Sequence, residues 1–97
     1  MFKKSAKNQQ LIEAADAGDA ASQCDLGVMY ELGLGLEKNL DQAFVYFEKS
    51  AEQGYAKAQY NLGVFYAMGK SVNKDLVKAK YWIKKAHDNG YTGTGFL

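Results

Sequence analysis

The chain has 97 residues, is 47% hydrophobic, and carries 12 Lys+Arg against 11 Asp+Glu for a formal charge of +1. That length suits a single domain spanning 1–97, the apolar content is too high for a disordered chain, and the balanced charge argues against nucleic-acid or acidic-membrane binding. No apolar stretch approaches the roughly 18 residues of a membrane span, Lys3 and Lys4 are followed by no apolar signal core, and the lone Cys24 allows neither an internal disulfide nor a cysteine metal cluster. The expected location is therefore cytoplasmic.

In chain order, the first predicted helix covers 5–17 and stops at Gly18. The second covers 20–32, where Ser22, Leu26, Met29, Tyr30 and Gly33 share one side at helical spacing. A glycine-bearing loop follows, and the third helix covers 39–53 with Leu40, Ala43, Phe44, Phe47 and Ala51 inward. Asn39 is its predicted N-cap and Gln42, three residues on, resembles half a capping box. The fourth helix covers 56–68 with Ala58, Leu62, Phe65, Tyr66 and Gly69 on one side; the fifth covers 75–89 with Asp75 as N-cap and Leu76, Ala79, Tyr81, Trp82, Ile83 and Ala86 as its apolar set. Gly18, Gly54 and Gly90 stand where helices should end, because glycine takes the left-handed conformation without steric cost. Two glycines and two threonines in 92–95 make 90–97 a tail rather than a helix. Proline is absent, in keeping with a chain made mostly of helices.

The helices repeat. Gly18–Gln53 aligns without a gap on Gly54–Asn89, a period of 36 residues with 12 identities. These include Gln23/Gln59, Leu26/Leu62, Gly27/Gly63, Tyr30/Tyr66, Lys38/Lys74, Leu40/Leu76 and Ala43/Ala79. A shift by the same 36 places Leu11 on Phe47 and Ala15 on Ala51, so 5–17 reads as the second helix of an incomplete leading repeat, an N-terminal cap. A fixed period of this size signals stacked supersecondary units. The expected fold is all-α: a right-handed α-α superhelix, or solenoid, of two helix-turn-helix repeats (18–53 and 54–89) plus an N-terminal half-repeat helix. Small residues at Gly27, Gly63, Ala43 and Ala79 would allow close helix approach, with Tyr30, Tyr66, Tyr46 and Trp82 filling the space beyond. A repeat cannot bury its apolar face alone, and about three are usually needed. The last helix pair is therefore expected to hide apolar surface, by a homodimer through that pair or the tail, by a folded-back tail carrying Tyr91, Phe96 and Leu97, or by further chain.

The run Ala20-x-x-Gln23-x-x-Leu26-Gly27-Val28-x-Tyr30-x-x-Gly33-x-Gly35-Leu36-x-Lys38-Asn39, completed by Ala43-x-x-Tyr46-Phe47-x-Lys49-Ser50-Ala51-Glu52-Gln53-Gly54, resembles the Sel-one-like repeat, a helical solenoid related to the tetratricopeptide repeat. The second copy follows with Ala58-Gln59-Tyr60-Asn61-Leu62-Gly63-Val64-Phe65-Tyr66 and Lys78-Ala79-Lys80-Tyr81-Trp82. Three positions depart from the pattern: Ser22 for alanine, Ser71 for the second loop glycine, and His87 where alanine is preferred. The cysteine pairs of the family's disulfide-rich branch are missing.

No catalytic constellation stands out. His87, the only histidine, lies near a helix end where positive charge is favoured, and Cys24 reads as a small hydrophobe on an amphipathic helix. The two fall on different helices of different repeats. Gly33-Leu34-Gly35-Leu36-Glu37-Lys38 lacks the preceding strand and full glycine spacing of a phosphate loop, and reads as a helix–helix turn. Lys74, Lys78, Lys80, Lys84 and Lys85 give a basic last helix, most simply a solvated face. No enzyme activity, cofactor or metal is expected.

In stacked helix pairs the first helices line the concave side. With Leu26, Gly27 and Tyr30 inward, the groove is expected to present Ala21, Cys24, Val28, Glu31 and Leu32, and their counterparts Lys57, Tyr60, Val64, Ala67 and Met68. In the related tetratricopeptide family these positions commonly contact peptides, and the mixture of apolar anchors with a few charges suits peptide recognition. Alternatively, Val28 and Val64 merely pack between adjacent first helices. The resemblance implies a protein–protein interaction module, a bacterial-type adaptor, regulator or inhibitory partner. The rivals are a hydrolase acting on cell-wall material, as in the cysteine-rich branch, and a self-assembling structural unit.

Overall fold

The structure, a computed structural model, describes residues 6–93, with side chains from 8 onward. Ser5 and the tail residues Phe96 and Leu97 lie outside the described residues. Five α-helices follow in order: α1 (Ala6–Asp16), α2 (Ala20–Leu32), α3 (Leu40–Glu52), α4 (Ala56–Met68) and α5 (Leu76–Asp88). No strand occurs among the described residues. Each helix lies within one residue of its predicted span.

The termini are set by local chemistry. Asn39 and Asp75 accept from the backbone N–H of Gln42 and Lys78, as expected of N-caps. The reciprocal half of a capping box does not form at α3: the Asn39 N–H donates instead to the Tyr30 carbonyl, 2.9 Å away, and ties the loop back to α2. Asp19 performs the same capping for α2 through Ser22, while α4 starts at Tyr55 without a side-chain cap. Gly33 and Gly69 end the first helix of each pair at φ +71° and +70°. Ser71 takes the left-handed position of its counterpart Gly35, at φ +61°, and its hydroxyl donates to Asp41 of the previous repeat.

α2 pairs with α3 and α4 with α5 as helical hairpins, while α1 packs on α2 and α3 on α4 to join successive units. The central core unites Cys24, Ala43, Phe47, Ala51, Ala58, Leu62 and Phe65 from three helices. The glycines of α2 and α4 make this packing close. A β-carbon on Gly63 would lie 2.6 Å from Ile83 Cγ1 and 3.1 Å from the Ala79 carbonyl, and one on Gly27 would lie 2.7 Å from the Phe47 ring. Tyr30 stacks on Tyr46 with centroids 6.0 Å apart, and Phe44 meets Tyr66 edge-on at 5.8 Å.

A repeated polar ladder runs through this apolar packing. Gln23 donates to the Ala15 carbonyl at 3.0 Å and Gln59, one repeat on, to the Ala51 carbonyl at 3.1 Å. Each glutamine oxygen accepts from the end of the following second helix, from Gln53 at 2.8 Å and Asn89 at 2.9 Å. Both glutamines are buried, and each ties three helices together by adding a second donor to a helix-end carbonyl that also accepts from the Gly18 or Gly54 N–H.

Candidate functional site

The inner face of the array is built from α2 and α4, which adjoin where Asn61 Nδ2 stands 4.0 Å from Cys24 Sγ. The ten residues expected there divide into three groups by exposure. Cys24 (0% exposed), Tyr60 (8%) and Ala67 (5%) are buried and belong to the packing. Cys24 packs into the central core formed with α3 and α4, and Tyr60 packs with Ile83 and Ala86 of α5, contacts that the spacing of one isolated helix does not show. Ala21, Val28, Glu31 and Val64 are half-buried, and Lys57, Leu32 and Met68 are exposed. Leu32 and Met68 occupy equivalent positions at the ends of α2 and α4 and are 60% and 50% exposed. They form a pair of apolar groups repeated across the face, with half-buried Val28 and Val64 one turn earlier.

Charge at this face is arranged between repeats. Lys70, in the loop after α4, reaches Glu31 of α2 at 3.0 Å and lies 5.6 Å from the centre of the Phe65 ring. Spacing alone could not single out Lys70, because its counterpart in the first repeat is Leu34. Tyr60 stacks on Tyr91 at 4.7 Å, which brings the first tail residues back onto α4.

Electrostatics gives the thiol no nucleophilic character. Burial pushes the Cys24 pKa up to about 11, against smaller opposing effects of Lys57 and the Asn61 amide. His87 is exposed on α5, beside Leu76, Lys80, Ile83 and Lys84 in a shallow recess of about 360 Å³. Cys24 lies in the central core, whereas His87 stands exposed on α5. The loop 33–38 follows a helix, with Leu36 buried and the Gly33 N–H bonded to the Met29 carbonyl, as a helix–helix turn requires. No group of three or more His, Cys, Asp or Glu side chains is placed to hold a metal among the described residues. No helix there is long and apolar enough to cross a membrane.

The stack of helical hairpins defines an all-α repeat solenoid. The Sel1 repeat pattern matches residues 20–55 and 56–91, and the chain belongs to that family, whose members are generally protein–protein interaction modules. A Sel1 repeat protein from Oxalobacter formigenes is 39% identical, with a TM-score of 0.84 over 87% of this chain and 63% of its own. A protective antigen present in uropathogenic Escherichia coli strains, with the same repeat fold, is 41% identical, with a TM-score of 0.81 over 86% of this chain and 18% of its own. The chain thus spans less than two thirds of the length of each of these two relatives. No curated protein matches it.

Proposed function

We propose that the protein is a non-catalytic interaction module, an adaptor, regulator or inhibitory partner, that receives a peptide or protein segment along α2 and α4. The supporting observation is the repeated exposed pair Leu32 and Met68, beside half-buried Val28 and Val64. Two apolar contacts in the same register on adjacent helices suit a chain lying across both, and Lys57 and the Glu31–Lys70 pair supply polar rims. The proposed setting is the bacterial cytoplasm; the two similar structures described above are of bacterial proteins. The buried thiol, with its raised pKa and its separation from His87, disfavours a hydrolase reading.

The test is selection of a displayed peptide library on the protein, followed by binding to a Leu32→Asp/Met68→Asp double variant. Peptides that bind this face should lose at least about tenfold in affinity, roughly 1.4 kcal/mol. Selected peptides indifferent to both substitutions would place recognition elsewhere. A second reading, self-assembly through the last helix, draws on Leu76, Val77 and Tyr81 of α5, which are 50%, 80% and 54% exposed. Light scattering of the wild type and a Val77→Asp/Tyr81→Asp variant separates the two: a dimer that the variant abolishes favours assembly.

A further inference from the structure

We propose that two copies of the chain pair through the outer faces of α3 and α5, each α3 lying antiparallel on the α5 of the other copy. Such a dimer rests on the self-assembly reading above and adds α3 as the opposing surface; it leaves α2 and α4 free. Charge along the chain is segregated. Residues 8–53 hold nine Asp and Glu but two Lys, and residues 54–93 hold seven Lys but two Asp. Among the described residues these charges form two ion pairs, Lys70–Glu31 and Lys84–Asp88. The outer face is identified on α3 itself. With the second repeat stacked on it, α3 still exposes Asp41, Gln42, Val45, Lys49 and Glu52. Their counterparts 36 residues on, Val77, Lys78, Tyr81, Lys85 and Asp88, are exposed on α5. Stacking further repeats leaves this side of a second helix outside, as it does on α3.

A two-fold axis normal to this face makes the contact isologous. Because α3 and α5 hold equivalent places in successive repeats, the axis sets each α3 antiparallel to the α5 of the other copy. With Val45 over Tyr81 of the second copy, counting outward sets Asp41 opposite Lys85, Glu48 opposite Lys78, Glu52 opposite Lys74 and Lys38 opposite Asp88. Symmetry supplies each pair twice. Gln42 falls opposite Lys84, Lys49 opposite Val77 and Glu37 opposite Asn89, so no like charges meet. Asp75 is turned into the cap of α5. On the flank, Glu13 and Asp16 of α1 are the counterparts of Lys49 and Glu52 and lie toward Lys80 and Lys84 of the second copy. Within one chain Asp41 accepts from the Ser71 hydroxyl and Lys85 donates to the Tyr81 hydroxyl, bonds that leave both charges uncancelled. The register is particular. A slip of one helical turn brings Lys38 against Lys84, or in the other direction leaves Glu52 and Lys78 as the single charged pair. Exposed ion pairs are individually weak, so these pairs around Val45, Val77 and Tyr81 make a weak, salt-sensitive dimer. A foreign partner would have to reproduce both signs in this order, whereas a second copy already carries them.

The test is sedimentation of the full chain over a range of protein concentrations, in about 0.01 M and about 1 M salt, where the screening length falls from ~30 Å to ~3 Å. A dimer is expected at low salt that dissociates at high salt. Glu48→Lys and Lys78→Glu, each alone, should raise the dissociation constant at least about tenfold, because each sets like charges opposite one another twice. The double variant Glu48→Lys/Lys78→Glu restores opposite signs and should recover the dimer. Asp25→Lys makes the same change of net charge as Glu48→Lys at an exposed position of α2 and should leave the dimer intact, as should Leu32→Asp/Met68→Asp. Circular dichroism of every variant should match that of the wild type. A monomer under all conditions overturns the proposal together with the self-assembly reading and leaves the peptide-binding reading standing. A dimer indifferent to the single reversals, or one that the double variant fails to recover, overturns the α3–α5 pairing alone. Loss of the dimer in the Leu32/Met68 variant also overturns it, by moving assembly to the inner face.

Discussion

At the scale of single residues, burial decides which side chains carry chemistry. Cys24 shares its helix with Glu31 and Leu32, and reading its helix alone places it in the groove; α3 and α4 together bury it completely. The cause is Asn61 with the core residues of α3 and of the next repeat, which no local pattern of α2 reveals. The raised pKa has a definite sign. The folded protein holds the neutral thiol to about pH 11, whereas an unfolded thiol ionises near 9.0. Its contribution to stability is intact below about pH 9 and is lost as pH rises through about 11. Alkylation of the native protein by iodoacetamide at pH 8 should therefore be far slower than that of the urea-unfolded chain, with the rate controlled by opening. Equal native and unfolded rates would contradict the burial.

At the scale of elements, glycine distribution and caps made the helices legible. Gly18, Gly33, Gly54, Gly69 and Gly90 all take positive φ at helix ends, and Asn39 and Asp75 cap as their side chains allow. Gly27 and Gly63 have another role, since they lie inside helices where glycine normally weakens the structure. Gly63→Ala should recover about 1 kcal/mol of helix propensity. It should lose more than that, up to about 3 kcal/mol, by driving a methyl group into Ile83 and the Ala79 carbonyl. The net expectation is a lower urea midpoint with an unchanged slope. A midpoint at or above that of the wild type would mean that α4 and α5 separate without cost. Sequence reading anticipated small residues at this contact, but not that Ile83, rather than an aromatic ring, closes over Gly63.

At the scale of the whole molecule, coupling between repeats rests on the glutamine ladder as well as on the core. Gln59 joins α4 to the end of α3 and, through Asn89, to the end of α5. Gln59→Ala removes both bonds from a site only 1% exposed and should cost about 2–3 kcal/mol. Because a stacked array is held by nearest-neighbour interfaces, hydrogen exchange should accelerate most in α4 and α5 and least in α1. A uniform loss of protection would show that the molecule opens only as one unit. The 36-residue period, written in Leu26/Leu62, Gly27/Gly63 and Ala43/Ala79, determined the five helices, their order and the solenoid class, because each of these depends on spacing along one chain. It also marked Gln23/Gln59 as a match without disclosing its use, since the ladder exists only once α1, α2 and α3 are stacked. Tertiary structure alone decided that Cys24, Tyr60 and Ala67 are covered while Leu32 and Met68 remain exposed, that Lys70 reaches Glu31, and that Leu11 and Met29 border an open groove. Exposure is a property of what neighbouring helices cover, and a repeated pattern records a position within its unit without recording whether that unit has a neighbour.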